Sequence, residues 1–286
     1  MMMLIVDVFA DPMMGLAYEA EPVLRYLESH YAGKIAIRYR MAVLVKDVYD
    51  WMTPFERSFP AEQAFKLYNR RLAQIYLAEE AISGMPMNMD NLNLFSVAET
   101  TSLPLSLAYK TVEYLVPQQA EAFLYRLRLA TIAEGRQTTK LSVLLELAET
   151  FGLSKANFIH YYQSDSVSAA LNKDFSELEM LHIGGLPVYR LSYEGRWTAV
   201  SGVITAANFD RLISQLTEQQ IKPQQPDRDL KHLKQLLDQH PIISLNELKT
   251  VYDFQSEKEI KEFIAPLSEN LVLDKVKNSW FIHYRR

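Results

Sequence analysis

Residues 13–17 include two positions, 14 and 17, whose spacing would allow their side chains to react together if they were cysteines. The run Met-Met-Gly-Leu-Ala follows a short apolar strand at residues 4–9 and the pair Asp11-Pro12. Two residues three apart lie on one turn of a helix, so cysteines at positions 14 and 17 would be able to exchange disulfides. That exchange needs a thiolate, and the 286 residues include no cysteine. The absence of cysteine therefore predicts a chain without thiol–disulfide activity, in which Met14 and Ala17 are not catalytic.

No other residue pattern predicts catalysis, a metal or a cofactor. No pair of histidines has metal-ligand spacing, and phosphate-binding glycine loops and a Gly-x-Ser-x-Gly run are absent. Near Met14 and Pro187 there is no nucleophile–base pair and no pair of carboxylates. The sequence predicts a protein that is not an enzyme, with no metal and no cofactor. The six histidines are His30, His160, His182, His232, His240 and His283.

The elements that would position residues 13–17 read as strand, helix and strand. Residues 4–9 are a buried strand, and a helix is expected from Met13 to about Ser29, interrupted at Pro22. Residues 34–40 alternate polar and apolar side chains, which predicts a second strand, parallel to the first. A helical region at about 54–175 follows, with helices expected at residues 59–83, 102–114, 118–134, 140–151 and 154–174.

Sheet pattern returns after the helical region. The loop Gly184-Gly185-Leu186-Pro187 leads into a hairpin at residues 188–193 and 197–200, and a helix capped by Thr205 closes this part. We expect a cis bond between Leu186 and Pro187, because only X–Pro bonds adopt that form at small cost.

A polar linker with two prolines, residues 222–227, precedes a compact tail. The tail reads helix, strand, helix, helix and hairpin, the order of a winged-helix domain. Residues 223–286 hold ten basic and ten acidic residues, so no basic face for DNA is expected. Trp280 and Tyr284 are expected to be surface anchors for a protein partner, or Trp280 packs against Leu236 and Phe263 as part of the tail's own core.

Composition limits the classes of partner. The net charge is −5, with 49% apolar and 23% charged residues, which gives no global reason to bind nucleic acid or an anionic membrane. No apolar run reaches the 20 or so residues of a membrane span. The sequence opens in a strand pattern without a signal core, so a cytoplasmic location is expected.

Three landmarks carry a resemblance to a known family: Asp11-Pro12 before positions 14 and 17, the helical region, and the loop ending in Pro187. Over residues 4 to about 220 the chain resembles the DsbA-like branch of the thioredoxin superfamily with its Cys-x-x-Cys lost. The resemblance implies an α/β fold. It comprises a thioredoxin-like (DsbA-like) domain over 1–221 with a large helical insertion at about 54–175, and a small winged-helix-like domain over 228–286.

The tail indicates a particular group within this family. Residues 248–260 and Trp280-Phe281 are similar to the tail of the YjbH/SpxH group of Firmicute adaptors, which deliver the regulator Spx to the ClpXP protease. The resemblance implies a protein partner of the Spx type and ClpXP. Members of that group often keep the Cys-x-x-Cys, and its loss here argues against redox sensing.

Two interpretations of the site and two of the function stay open. Met13, Met14, Leu186, Pro187 and Tyr189 either form a hydrophobic docking spot for a partner or fill space under the helical insertion. The chain is either a non-catalytic adaptor or a DsbA-family, dithiol-disulfide isomerase-like relative that binds a small molecule or retains an activity without a thiol.

Overall fold

The computed structural model describes residues 2–285. Strand β1 (Leu4–Ala10) leads through helices α1 (Gly15–Glu19) and α2 (Glu21–His30) into strand β2 (Ile35–Met41). The two strands are parallel, as the sequence predicts, with Leu4 opposite Ile35. The helix expected from Met13 to Ser29 is two helices, because Pro22 occupies the first turn of α2, where its missing N–H costs no hydrogen bond.

The helical insertion comprises eight α-helices, with a 3-10 turn at Pro117–Gln119 and a π-helical turn at Leu129–Ala133. The single helix expected over 154–174 is wrong. One helix ends at Tyr162, and Ser164 caps the next by accepting a hydrogen bond from the backbone N–H of Val167. The helices are α3 (Val48–Trp51), α4 (Pro54–Arg57), α5 (Ala61–Glu79), α6 (Leu103–Leu115), α7 (Ala120–Arg128), α8 (Leu141–Glu149), α9 (Lys155–Tyr162) and α10 (Asp165–Glu179).

Strands β3 (Val188–Tyr193) and β4 (Arg196–Ser201) form the expected hairpin and complete a sheet of order β2-β1-β3-β4. β1 is one of the two interior strands, is largely buried and pairs antiparallel with β3. Helix α11 (Ala206–Leu216) follows, and the Thr205 hydroxyl accepts from the N–H of Asn208 as its cap. The Leu186–Pro187 bond before β3 is cis, which confirms the prediction.

The tail has the element order read from the sequence. It contains α12 (Leu230–Gln239), β5 (Ile242–Ser244), α13 (Leu245–Tyr252), α14 (Glu257–Ile264), a 3-10 turn (Ala265–Asn270), and strands β6 (Leu271–Val276) and β7 (Ser279–Tyr284). The strands form a sheet of order β5-β7-β6. Trp280 and Tyr284 are partly buried and pack on the tail's core beside Phe263.

The tail packs against the body of the protein. Helix α13 lies along α2, and Phe281 is buried in the same apolar cluster as the helices of the insertion. The side-chain amide of Asn246 donates to the carbonyl of Ser83 at 3.0 Å. The linker is also held, since the N–H of Gln224 donates to the carbonyl of His30 at 2.7 Å. The boundary at 222–227 stays a prediction, and contacts across it are extensive.

Within residues 2–285, every helix is too short or too polar to cross a bilayer.

Candidate functional site

The end of β1 fixes the backbone of residues 11–14 through one buried carboxylate. Asp11 accepts hydrogen bonds from the N–H of Met13 at 3.0 Å, the N–H of Leu44 at 2.7 Å and the hydroxyl of Ser102 at 2.5 Å. Burial raises the pKa of Asp11 to about 6, and these hydrogen bonds oppose the rise. Asp11 therefore holds the loop after β1 against the insertion and is not free to act on a substrate.

Met14 and Ala17 lie where the sequence places them, at the start of α1. Met14 is the residue before the first helical position, and Ala17 is on the same turn. Both side chains pack with Ala10, and Leu186 covers this small cluster from the loop that carries the cis peptide bond. The structure thus brings Met14 and Ala17 close to the loop that contains Pro187. A disulfide exchange reaction would need thiols at these positions, and the side chains there are apolar.

The five residues predicted as a docking spot are mostly hidden, and only Met14 and Leu186 share an apolar cluster, whereas Met13 and Tyr189 belong to two others. Met13 and Tyr189 are each 1% exposed and Met14 is 6% exposed, while Pro187 is buried and Leu186 is partly exposed. Met13 belongs to the core of the helical insertion, and its carbonyl accepts from the Tyr76 hydroxyl at 2.5 Å. The burial agrees with the space-filling interpretation. Binding of a partner at this position stays a prediction that depends on Leu186.

Gly15 shows how closely the insertion covers α1. A Cβ atom at this position would lie 1.9 Å from a carboxylate oxygen of Glu79. Glu79 is partly buried, and burial raises its pKa to about 7. The ring of Tyr76 would lie 2.7 Å from the same Cβ atom, so α5 approaches α1 too closely for a larger residue to fit unless side chains of α5 move.

A second cluster, which the sequence did not reveal, joins the three parts of the chain around Arg25 on α2. The Arg25 guanidinium donates to Glu21 and Glu121 at 3.2 Å each through Nη2 and to Glu247 of α13 at 3.2 Å through Nε. Glu247 also accepts from the Tyr125 hydroxyl at 2.5 Å. We call Arg25 and its partners the Arg25 cluster; its members are Glu21, Arg25, Glu28, Glu121, Tyr125, Arg128, His240 and Glu247.

The Arg25 cluster contains one group with metal-ligand geometry. Ligand atoms of Glu28, Glu121 and His240 lie within 4.8 Å of one another. The Nη1 atom of Arg25 contacts all three of these side chains. A guanidinium that donates to the same oxygen and nitrogen atoms takes the place a cation would need, so we assign no metal to this group.

Burial controls protonation in the Arg25 cluster. It lowers the pKa of His240 to about 3, with the positive charge of Arg25 as the next cause. It raises the pKa of Glu247 to about 7, and Arg25 opposes that rise. At neutral pH the histidine is therefore an uncharged hydrogen-bonding group.

Comparison with known proteins identifies the family and the fold. The family model described as thioredoxin matches residues 8–201. The chain belongs to the thioredoxin family. It is 23% identical to the ClpXP adapter protein SpxH of Halalkalibacterium halodurans over 279 residues. This alignment covers 95% of this chain and 86% of that protein.

Solved structures of thioredoxin-family proteins show the same DsbA-like fold. A putative protein disulfide isomerase from Nitrosomonas europaea gives a TM-score of 0.62 at 15% identity, over 77% of this chain and all of that one. A probable DsbA oxidoreductase from Streptomyces coelicolor gives a TM-score of 0.55 at 18% identity, over 78% of this chain and 94% of that one. The cytosolic disulfide reductase DsbM from Pseudomonas aeruginosa gives a TM-score of 0.54 at 21% identity, over 75% of this chain and 94% of that one.

Proposed function

We propose that this chain is a non-catalytic adaptor that binds a regulator of the Spx type and presents it to the ClpXP protease. The observation that carries the proposal is the extent of the similarity to SpxH. It covers 95% of this chain, whereas the match to the thioredoxin family covers residues 8–201 and stops before the tail. SpxH is thus similar to this chain over both the thioredoxin-like body and the tail that packs on it.

The residues at the former exchange site support a role without catalysis. Met14 and Ala17 replace the two thiols, and the 286 residues contain no cysteine elsewhere. Binding surfaces do not need a nucleophile, and a scaffold without thiols cannot be switched by disulfide formation. No observation favours a small-molecule activity, so we do not propose one.

We infer that the tail is winged-helix-like and contacts protein, with no DNA ligand. The charges of α14 are paired along the helix: Lys261 lies 2.5 Å from Glu257, and Lys258 lies 3.7 Å from Glu262. A helix that reads DNA presents unpaired basic groups to phosphates. A cytoplasmic location belongs to the same proposal, because the proposed protease partner acts on proteins there.

The test is a reconstituted degradation assay with ClpXP and an Spx-type regulator. We expect the purified chain to increase the rate of regulator degradation severalfold when it is present at stoichiometric amounts. A ssrA-tagged substrate in the same reaction serves as the control for protease activity and is expected to be degraded at an unchanged rate. Equal regulator degradation with and without the chain would contradict the proposal.

A further inference from the structure

The outer edge of β2 has unpaired peptide groups. β2 is the first strand of the sheet order β2-β1-β3-β4, so only one of its sides pairs with a strand. At its two ends, the N–H of Leu4 donates to the carbonyl of Lys34 at 3.0 Å and the N–H of Ala42 donates to the carbonyl of Ala10 at 3.1 Å. In a parallel pair, peptide groups alternate between the two sides of a strand. The even-numbered residues of β2 therefore bond to β1, and the odd-numbered residues face outward.

The outward peptide groups at the start of β2 remain available. At the far end the N–H of Met41 donates to the Asp174 carboxylate at 2.9 Å, so α10 covers that end. For the N–H groups of Ile35 and Ile37 we find no hydrogen-bond partner anywhere in residues 2–285. An edge strand with unpaired peptide groups is a template for the addition of another strand.

A large cleft lies against this part of β2. Its volume is about 1550 Å³, and it is lined by Ile35 and Ile37, by α7 of the insertion and by α12 of the tail. Pockets for small molecules are typically about 300–1,000 Å³. The size of the cleft and its opening to solvent fit an extended peptide better than a small ligand.

The charge of the cleft favours a basic occupant. Glu28, Glu121 and Asp238 line it, and its arginine, Arg126, pairs with Glu134 at 2.9 Å. Arg25, which does not line the cleft, contacts Glu28 and Glu121 through one oxygen of each, and burial raises the pKa of Glu121. Since Glu121 is 39% exposed, its carboxylate is accessible to a cation from solvent.

We propose that the cleft accepts an extended segment of a protein partner as an added strand on β2, with a Lys or Arg side chain of that segment against Glu121. The inference rests on the proposed function, since it says where an adaptor would hold a segment of its partner. The hydrogen bonds would come from the peptide groups of Ile35 and Ile37, and the charge of the walls would select a basic sequence.

The test uses a phage-displayed library of random 12-residue peptides, selected on the full chain. The key variant is Ile37→Pro, which removes an outward N–H and is compatible with an edge strand because the bonds to β1 come from even-numbered residues. Ile37→Ala is the matched control, because it shortens the same side chain and keeps the N–H. We expect selected peptides rich in β-branched residues and Lys or Arg. They should bind the wild type and Ile37→Ala, and they should bind Ile37→Pro at least tenfold more weakly.

The charge part of the inference has its own variant. Glu121→Gln keeps the size of the side chain and removes its charge, so the selected peptides should bind it severalfold more weakly, with a smaller dependence on salt. Three results would overturn the inference: no enriched peptide, equal binding to Ile37→Pro, or a wild-type dimer that Ile37→Pro converts to a monomer. The last result would show that a second copy of the chain occupies the edge of β2.

Amide hydrogen exchange keeps the test valid even if Ile37→Pro fails to fold. In the free wild type, the amides of Ile35 and Ile37 should exchange quickly and those of Ala36 and Arg38 slowly. Addition of a selected peptide should slow the first pair only. Fast exchange of Ile35 and Ile37 in the peptide complex would contradict strand addition.

Degradation assays separate this inference from the proposed function. If the wild-type chain does not deliver an Spx-type regulator to ClpXP, the proposed function fails. If the wild type and Ile37→Pro deliver it equally well, the adaptor role stands and strand addition at β2 is wrong.

Discussion

The Nε atom of Arg25 lies 3.2 Å from a carboxylate oxygen of Glu247, although 222 residues separate them in the chain. Arg25 is on the first long helix of the thioredoxin-like part, and Glu247 is in the first turn of α13 in the tail. Both side chains are fully buried, with exposed fractions of 1% and 0%. This ion pair therefore lies inside the contact between the two parts and depends on their remaining together.

Loss of the Arg25 charge should destabilise the whole chain. In the variant Arg25→Met, the buried carboxylate of Glu247 loses its ion-pair partner, and that of Glu21 keeps only Arg128. Removal of one partner of a buried ion pair typically costs about 3–5 kcal/mol. We expect a decrease of that size in the free energy of unfolding, measured by urea titration at pH 7.

A surface ion pair provides the control for this prediction. Lys155 lies 3.4 Å from Glu149, and both side chains are about half exposed. Because solvent screens such pairs, Lys155→Ala should change the free energy of unfolding by less than about 1 kcal/mol. Similar stabilities of Arg25→Met and Lys155→Ala would contradict the importance assigned to the Arg25 cluster.

Asp11 should make the stability of the chain depend on pH. Its pKa rises from 3.8 to about 6 in the folded chain, so the native state binds more protons than the unfolded state between these values. The contribution is fully present below pH 3.8 and is lost as pH rises through 6. A shift of about two units corresponds to about 3 kcal/mol for this fully buried group.

The variant Asp11→Asn removes this titration and keeps the shape of the side chain. The difference in the free energy of unfolding between variant and wild type should change by about 2 kcal/mol between pH 4 and pH 7, measured by urea titration. Asp50→Asn, at an exposed position, is the matched control and should show a constant difference. Parallel pH profiles for Asp11→Asn and the wild type would show that Asp11 is not the responsible group.

The thioredoxin-like core was predictable because its signals are local. The strand at residues 4–9, the loop before Pro187 and the cap at Thr205 each carry a short pattern of hydrophobicity, proline or hydroxyl side chains. The boundary between α9 and α10 was missed, since Ser164 lies inside an uninterrupted apolar periodicity. Only the hydrogen bond from the N–H of Val167 shows that a new helix begins there.

The Arg25 cluster was not predictable, because its members are close only in the folded chain. Two local signals exist: Glu21 and Arg25 have the spacing of a helical ion pair, and Ser244 with Glu247 forms a capping box. Neither pattern indicates that Glu247 would turn inward toward α2. Burial of Met13 likewise depends on the position of α5, which the sequence pattern does not give.

Restoration of the two cysteines should give a disulfide. In the variant Met14→Cys/Ala17→Cys the two Cβ atoms would be about 5–6 Å apart on one helical turn, close enough for a bridge after small adjustments. Oxidation followed by alkylation and mass spectrometry should show no free thiol. Met14→Cys/Leu16→Cys is the matched control, since residues two apart point to different sides of the helix and should stay free. Two persistently free thiols at positions 14 and 17 would contradict the placement of α1.

The tail and the body should unfold together, because they share an apolar core. Phe281 of β7 is buried among the helices of the insertion, and Ile242 and Val276 pack on the same cluster. The three tryptophans make the comparison possible: Trp280 reports on the tail, while Trp51 and Trp197 are exposed positions in the body.

Two variants carry the comparison, one with Trp51 and Trp197 changed to Phe and one with Trp280 changed to Phe. Fluorescence-detected urea transitions of the tail and the body should have the same midpoint. Phe281→Ala, added to both variants, should lower both midpoints together, by a free energy of about 3–5 kcal/mol for a buried aromatic side chain. A tail transition at lower urea than the body transition, shifted alone by Phe281→Ala, would mean that residues 228–286 are an independent unit and that the contact through Arg25 and Phe281 contributes little.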